Sequence, residues 1–345
     1  MLYVTTRIST DAFTAFRALS ENRGPEGGFY VPLRLPSFSA KQIAELADHS
    51  FANNVADVLN LFFGTKLDGC EIQLGIGRYS VKLIGLNGKI TVVKTWNNPV
   101  FRFERMVSGV EKIIRQSDQI SKKPSDWLRI AVRVAVLFGI YGQLLQNATI
   151  SQQQTIDVSV PSGDLSELMA VWYAKKMGLP VGTIVCCCNE NNALWGLLHK
   201  GELRTDLLAT HTHTQMCDFA VPTDLERLIF GVFGHEEVKR FCEASMTGAI
   251  YCLDDKQTEQ LREDIYVSVV STKRIGSVIP NLYKITGFIA DPYTALSYSG
   301  LSDYRSIMGG SRHALVISEE SPLFSLEFVA QCMDMLPNEL KELMD

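Results

Sequence analysis

Thr155-Ile156-Asp157-Val158-Ser159-Val160 alternates in polarity and runs into Pro161-Ser162-Gly163-Asp164. The alternation predicts a β-strand, and the Pro-Ser-Gly-Asp tetrad predicts a turn. A helix is expected next. Asp164 is placed to cap it, Glu167 stands three residues on, and Leu168, Met169, Val171 and Trp172 supply an apolar stripe. Lys175 and Lys176 complement the negative end of its dipole, and Gly178 with Pro180 terminates it. Thr183-Ile184-Val185-Cys186-Cys187-Cys188 reads as a second strand. Residues 155–188 are therefore one βαβ unit, for which parallel pairing and a right-handed crossover are expected.

Outside this unit the same rules predict a helix from about Phe103, with Phe103, Met106, Val107, Val110, Ile113 and Ile114 on one face. The polar stretch from Gln116 to Ser125 is the best linker candidate. Thr223-Asp224-Leu225-Glu226 reads as a capping box that opens another helix, and His313 to Ser318 reads as a strand. No internal repeat or low-complexity tract is present. The class is α/β.

At 345 residues the chain exceeds what one hydrophobic core usually organises, which suggests two domains or one large domain with an accessory piece. A net charge of −5 with no basic block argues against a nucleic-acid partner. The start, Met1 to Arg7, lacks the order of a secretory signal, and the apolar run from Ile130 to Leu145 is interrupted by Arg133. No membrane association is expected. Three of the eight cysteines are consecutive, Cys186, Cys187 and Cys188, as buried strand residues with alternate facing would be. Free thiols in a reducing cytoplasm are the expectation.

Two constellations carry chemistry. The turn from Val160 to Leu168 is either an anion cradle at a helix N-terminus or an ordinary capped helix; a single glycine and the acids Asp164 and Glu167 favour the second. His211, His213 and Cys217 are residue types that bind zinc, but no fourth ligand is evident beyond Asp218, and no metal is expected. His49 and His235 stand alone. Gly-x-Ser-x-Gly, His-Glu-x-x-His and Walker-type lysine motifs are missing, which removes the commonest hydrolase and nucleotide-binding readings.

Several short segments, taken in order, resemble threonine synthase, a fold-type II enzyme dependent on pyridoxal phosphate. They are Tyr3-Val4-Thr5-Thr6-Arg7, Gly27-Gly28-Phe29-Tyr30-Val31-Pro32, Asp157 to Gly163, Lys176-Met177-Gly178-Leu179-Pro180 and Asn189-Glu190-Asn191-Asn192. Met216-Cys217-Asp218, Asp224-Leu225-Glu226-Arg227 and Asp291-Pro292-Tyr293-Thr294-Ala295 continue the series. The resemblance runs along almost the whole chain. It implies a reduced fold-type II parallel sheet with helices on both faces, preceded by an N-terminal domain. The expected division is 1–95 for the N-terminal domain and 96–345 for a core lacking most of the mobile small subdomain.

The departures from the family pattern fall where its cofactor would be. The run Asn97-Asn98-Pro99-Val100-Phe101-Arg102-Phe103-Glu104-Arg105 corresponds to the family's His-Gly-Pro-Thr to Phe-Lys-Asp stretch, so Glu104 occupies the position of the Schiff-base lysine. A carboxylate cannot condense with an aldehyde. The nearest amines are Lys94 and Lys112, and on a continuing helix Lys112 lies about 12 Å beyond Glu104. The phosphate loop reads Ser162-Gly163-Asp164-Leu165-Ser166, with an acid where the family has asparagine and without its second glycine. The segment from Pro99 to Pro161 is much shorter than the resemblance implies. The C-terminal family motif survives only as Ser318-Glu319-Glu320-Ser321-Pro322-Leu323-Phe324.

The resulting expectation is a threonine synthase-like protein that has lost pyridoxal phosphate catalysis, has no cofactor, and binds an amino-acid-like small molecule or a partner protein. Asn97, Asn98, Arg102, Glu104, Arg105 and Ser318 are the candidate ligand-binding residues, and Glu104, Asp164, Glu319 and Glu320 the carboxylates for acid–base work. The alternatives are an active lyase on phosphohomoserine with a relocated amine, which would bring the cofactor with it, or an enzyme repurposed for other chemistry.

Overall fold

The computed structural model describes residues 1–8, 10–77, 81–96, 103–116 and 124–344. The chain begins with β1 (Leu2–Thr5), β2 (Phe13–Thr14), α1 (Ala15–Ser20) and β3 (Tyr30–Pro32), then α2 (Ala40–Glu45), α3 (Phe51–Phe63) and α4 (Gly69–Ile76). It continues through β4 (Lys82–Leu86), β5 (Ile90–Lys94), α5 (Phe103–Arg115), α6 (Asp126–Gln146), β6 (Ile156–Pro161), α7 (Ser166–Lys176) and β7 (Val181–Cys188). Next come α8 (Ala193–Lys200), β8 (Glu202–Arg204), α9 (Leu225–Phe233), α10 (His235–Thr247), β9 (Ile250–Cys252), α11 (Asp255–Arg262) and β10 (Ile265–Val269). The last elements are α12 (Thr272–Thr286), α13 (Pro292–Met308), β11 (His313–Ser318), α14 (Leu326–Cys332) and α15 (Pro337–Met344).

A six-stranded sheet in the order β10-β7-β6-β11-β5-β4 forms the centre. All its pairings are parallel except β4 with β5. β6, α7 and β7 form the expected βαβ unit, and β11 spans His313–Ser318 as read from the sequence. The strands at 82–94 lie on the N-terminal side of position 95 and pair into this same sheet.

Alternation along each strand divides the interior in two. Cys186 and Cys188 of β7 face the core shared with α6 and α7, whereas Val185 and Cys187 face the core shared with α12 and α13. The cysteine triplet is thus buried filler for both faces, because neighbouring side chains on a strand point opposite ways. Helices cover both sides of the sheet, as parallel sheets require.

The small sheet β2-β1-β3 packs on this body through aromatic residues. The Trp127 indole N–H donates to the Tyr3 hydroxyl (3.0 Å), which donates to the Phe62 carbonyl (2.8 Å). α5 buries Phe103, Met106, Val107 and Val110 as its stripe predicts, with Ile113 and Ile114 at its margin. α6 is long and apolar enough to cross a bilayer, yet 83% of its most apolar window is buried inside the protein. Most of the proposed linker, residues 117–123, lies outside the described residues; Ser125 accepts from the Leu128 N–H and so starts α6.

Two helix starts differ from the sequence reading. Leu165, at φ +69°, precedes α7, and Asp164 reaches over it to accept from the Ser166 N–H (2.9 Å). α9 begins at Leu225 without a side-chain cap: Asp224 pairs with Arg227, and Glu226 is occupied by Thr6 and Arg7. Tertiary partners have taken the groups that local capping would use.

Candidate functional site

β6 leads to β7 and then β10 on one side of the sheet, whereas the chain returns to place β11 on the other side of β6. The strand order therefore reverses between β6 and β11, and the crevice beyond the carboxyl ends of such strands is where open α/β sheets bind ligands. A cavity of about 170 Å³ lies there. Pro161, Gly163 and Asp164 come from the end of β6, and Ile317, Glu319 and Glu320 from the end of β11. Glu104 of α5, Arg129 and Arg133 of α6, and Ser166 and Glu167 of α7 complete its polar wall, beside Met216, Cys217, Phe219 and Tyr293.

Each side of this wall is held by a particular contact. Arg133 donates from Nε and Nη2 to the two oxygens of Glu319 (2.9 and 2.7 Å) and from Nη1 to the Ser166 hydroxyl (3.2 Å). Its guanidinium also lies 4.4 Å from the Phe103 ring centre. Burial alone would disfavour the cation, but the charge and hydrogen bonds of Glu319 hold Arg133 protonated. Arg129 pairs with Glu104 at 3.0 Å. Glu167 has no hydrogen-bond partner among the described residues, and it also lines a smaller void with Thr95, Phe103 and Arg133. Burial, reinforced by the charge of Glu319, raises its carboxyl well above the ordinary range.

Other cavity groups are quiet. Burial pushes the Cys217 thiol up to about 12, so it is not a thiolate near neutrality. Burial likewise raises Tyr293 to about 12, and its hydroxyl accepts from the Met216 N–H (3.2 Å). His213 stacks on Phe328 with ring centres 4.1 Å apart, and among the described residues no three His, Cys, Asp or Glu side chains are grouped to hold a metal.

Of the residues proposed from sequence, Glu104, Gly163, Asp164, Ser166, Glu319 and Glu320 converge on this cavity. Ser162 and Leu165 are buried in the turn beneath it, where the Leu165 N–H donates to the Ser162 carbonyl (2.8 Å). Ser318 is buried beside Trp96, whose indole N–H donates to its hydroxyl (3.2 Å), and does not line the cavity. Arg105 is exposed on α5. Asn97, Asn98 and Arg102 lie outside the described residues. Lys112 is exposed, and Lys94 sits 3.7 Å from the Trp96 ring centre, its ammonium disfavoured by burial and by Lys82. Neither lysine lines the cavity. Arg129, Arg133 and Glu167 were missed as site residues. Arg133 carried a usable signal, since an arginine inside an apolar helical run needs a buried acid to meet it.

Residues 2–78 match the family model described as "Threonine synthase N terminus". The human "Threonine synthase-like 1" is 27% identical over 177 residues, covering 50% of this chain and 24% of that protein. Threonine synthase of Eremothecium gossypii is 30% identical over 154 residues, covering 45% of this chain and 28% of that protein. The matched region thus spans about a quarter of the length of these curated relatives. The PLP-bound threonine synthase from Brucella melitensis aligns over 100% of this chain and 94% of its own, with a TM-score of 0.85 and 17% identity. Yeast threonine synthase aligns over 99% and 93%, with a TM-score of 0.84 and 16% identity. The chain is threonine synthase-like in its N-terminal domain and in its fold.

These matches correct the expectation that no cofactor is involved. The fold is one that holds pyridoxal phosphate in the Brucella protein, and an expectation of none conflicts with it. The Ser166 N–H at the start of α7 is already taken by the Asp164 carboxylate, and Glu104 pairs with Arg129. Among the described residues that line the cavity there is no lysine.

Proposed function

We propose that this threonine synthase-like chain binds a small amino-acid-like molecule in the cavity between β6 and β11, and that the pyridoxal-dependent lyase reaction has been lost from it. The observation that carries this reading is the cavity wall. It keeps the position of a ligand site at the strand-order reversal and is lined by carboxylates, among them Glu104 and Asp164, with no lysine among its described residues. Pyridoxal phosphate remains the cofactor to expect from the fold, so the test begins with it.

The geometry favours recognition over turnover. Arg133 is fully engaged by Glu319 and Ser166, which fixes α6 against α7 and the end of β11 and leaves a shaped, water-accessible space beside Glu167. The test supplies purified chain with pyridoxal phosphate and phosphohomoserine and measures phosphate release, then treats the mixture with borohydride and maps modified lysines by mass spectrometry. No release and no reduced adduct on a lysine are expected. Turnover, or a cofactor fixed onto a lysine, would overturn the loss of lyase chemistry. Calorimetry with amino acids tests the binding half independently.

A further inference from the structure

We propose that the molecule bound in this cavity carries a primary ammonium that sits on Glu167 and a short alkyl chain that enters the apolar void behind that residue. The inference rests on reading the cavity as the ligand site and adds the chemical class of the ligand.

Glu167 stands at the boundary of two spaces. It lines the cavity of about 170 Å³ and also the void of about 20 Å³, and Arg133, Ile317 and Glu319 are shared between them in the same way. Its neighbours on α7, Ser166 and Leu168 to Ala174, are all buried, yet Glu167 keeps accessible surface. The side chain is enclosed by protein, so that surface opens onto these spaces and not onto bulk solvent. Among the described residues nothing donates a hydrogen bond to its carboxyl, and the guanidinium of Arg133 is committed to Glu319 and Ser166. An enclosed carboxyl without a donor is a deficit that a ligand can remove.

The surroundings narrow the donor. A metal ion would need several such side chains, and among the described residues no three His, Cys, Asp or Glu side chains are grouped to hold one. A neutral hydroxyl or amide would gain an ordinary hydrogen bond, whereas an ammonium forms a charge-assisted one, roughly twice as strong. The charges acting on Glu167 agree. Glu319 after β11, Asp164 before α7 and Asp291 before α13 disfavour its negative charge, and Arg133 of α6, which opposes them, is already paired. Glu167 therefore holds its proton until a cation arrives beside it, and then releases that proton to solvent. The void fixes what the ammonium is attached to. Val136, Leu137, Ile140, Val160 and Val171 surround it, and an apolar space of this size stays dry and accepts a methyl or ethyl group.

Isothermal titration calorimetry on the full chain with 2-aminobutanoate, 2-hydroxybutanoate and glycine tests this, since the second compound lacks the ammonium and the third the ethyl group. 2-Aminobutanoate is expected to bind at least tenfold more tightly than either. Its apparent enthalpy should change with the ionisation enthalpy of the buffer, reporting the released proton. Glu167→Gln should abolish that dependence and weaken 2-aminobutanoate at least tenfold while leaving 2-hydroxybutanoate unchanged; a merely structural role would move both. Ala170→Val, which narrows the void from α7, should bring 2-aminobutanoate to the affinity of glycine. Equal binding of 2-aminobutanoate and 2-hydroxybutanoate, or undiminished binding by Glu167→Gln, would overturn the ammonium anchor. Equal binding of 2-aminobutanoate and glycine would overturn the alkyl chain. Each of these leaves the ligand site standing. Absence of binding by all three compounds would overturn this inference and the small-molecule reading beneath it, and the phosphate-release assay would still report on the lyase reaction separately.

Discussion

Arg133 of α6 meets Glu319, the residue after β11, through two parallel hydrogen bonds of 2.9 and 2.7 Å, with both side chains mostly buried. This pair ties the long core helix to the carboxyl end of the sheet and lines the same cavity as Glu167. Breaking a buried pair strands a charge, whereas replacing both members by apolar groups of similar shape can be nearly neutral. Arg133→Met is therefore expected to cost about 3–5 kcal/mol. The double variant Arg133→Met/Glu319→Leu should recover most of that loss. Urea unfolding of the two single variants and the double variant checks it; strictly additive losses would show that the pair does not act as a unit.

The Glu167 carboxyl gives stability a pH dependence whose sign is fixed by its raised value. Burial comes first, then the charge of Glu319, with Asp164 and Asp291 adding to both and Arg133 opposing them. A group whose folded value is raised contributes stability that is complete below its unfolded value, near 4.5, and is lost as pH rises through the folded value. Glu167→Gln should flatten this part of the profile. Its melting temperature relative to wild type should rise progressively from pH 5 to pH 8, and a gap that stays constant across that range would refute the assignment.

On the other face of the sheet, α13 lies so close to β7 that a Cβ added to Gly300 would overlap Cys187 Sγ. Overpacking of this kind costs about 1–3 kcal/mol. Gly300→Ala is expected to destabilise by that amount, and Cys187→Ala should relieve a large part of the cost in the double variant. Chemical denaturation of the four proteins in the cycle reads the coupling. Additivity would mean that the close approach is relaxed by backbone movement instead.

The same strand shows what the sequence could and could not reveal. Periodicity exposed β6, α7, β7 and β11 because period-two and helical patterns follow from local geometry. It also showed that Cys186, Cys187 and Cys188 are interior residues, and both faces of the sheet are indeed covered. Glu104 and Asp164 were legible as cavity acids because a family pattern marked their positions. Arg129 and Glu167 carried no such mark, and their meeting depends on how α6 crosses α7, which is long-range packing. Thr223 to Glu226 was misread as a local capping box because nothing in four residues discloses that Glu226 has a partner more than two hundred positions away.

That distant partner defines how the N-terminal sheet is held. Glu226 of α9 is almost fully buried and accepts from Arg7 at Nε and Nη2 (3.1 and 2.9 Å) and from the Thr6 hydroxyl, just beyond β1. The hydrogen bonds that Arg7 donates to Glu226, with burial opposing them, keep its guanidinium protonated. Hydrogen bonds to a charged group contribute roughly 1.5–3 kcal/mol, and Glu226→Ala removes the shared acceptor while leaving Arg7 half-exposed to water. A loss in that range is expected, together with faster tryptic cleavage near Arg7 and Arg17 while α6 and the central sheet stay protected from hydrogen exchange. Arg7→Met should cost at least as much, because it leaves the almost fully buried Glu226 carboxylate without its guanidinium. A clearly smaller loss from Arg7→Met than from Glu226→Ala would instead make the shared carboxylate, and not the charge pair, the link that docks the N-terminal sheet.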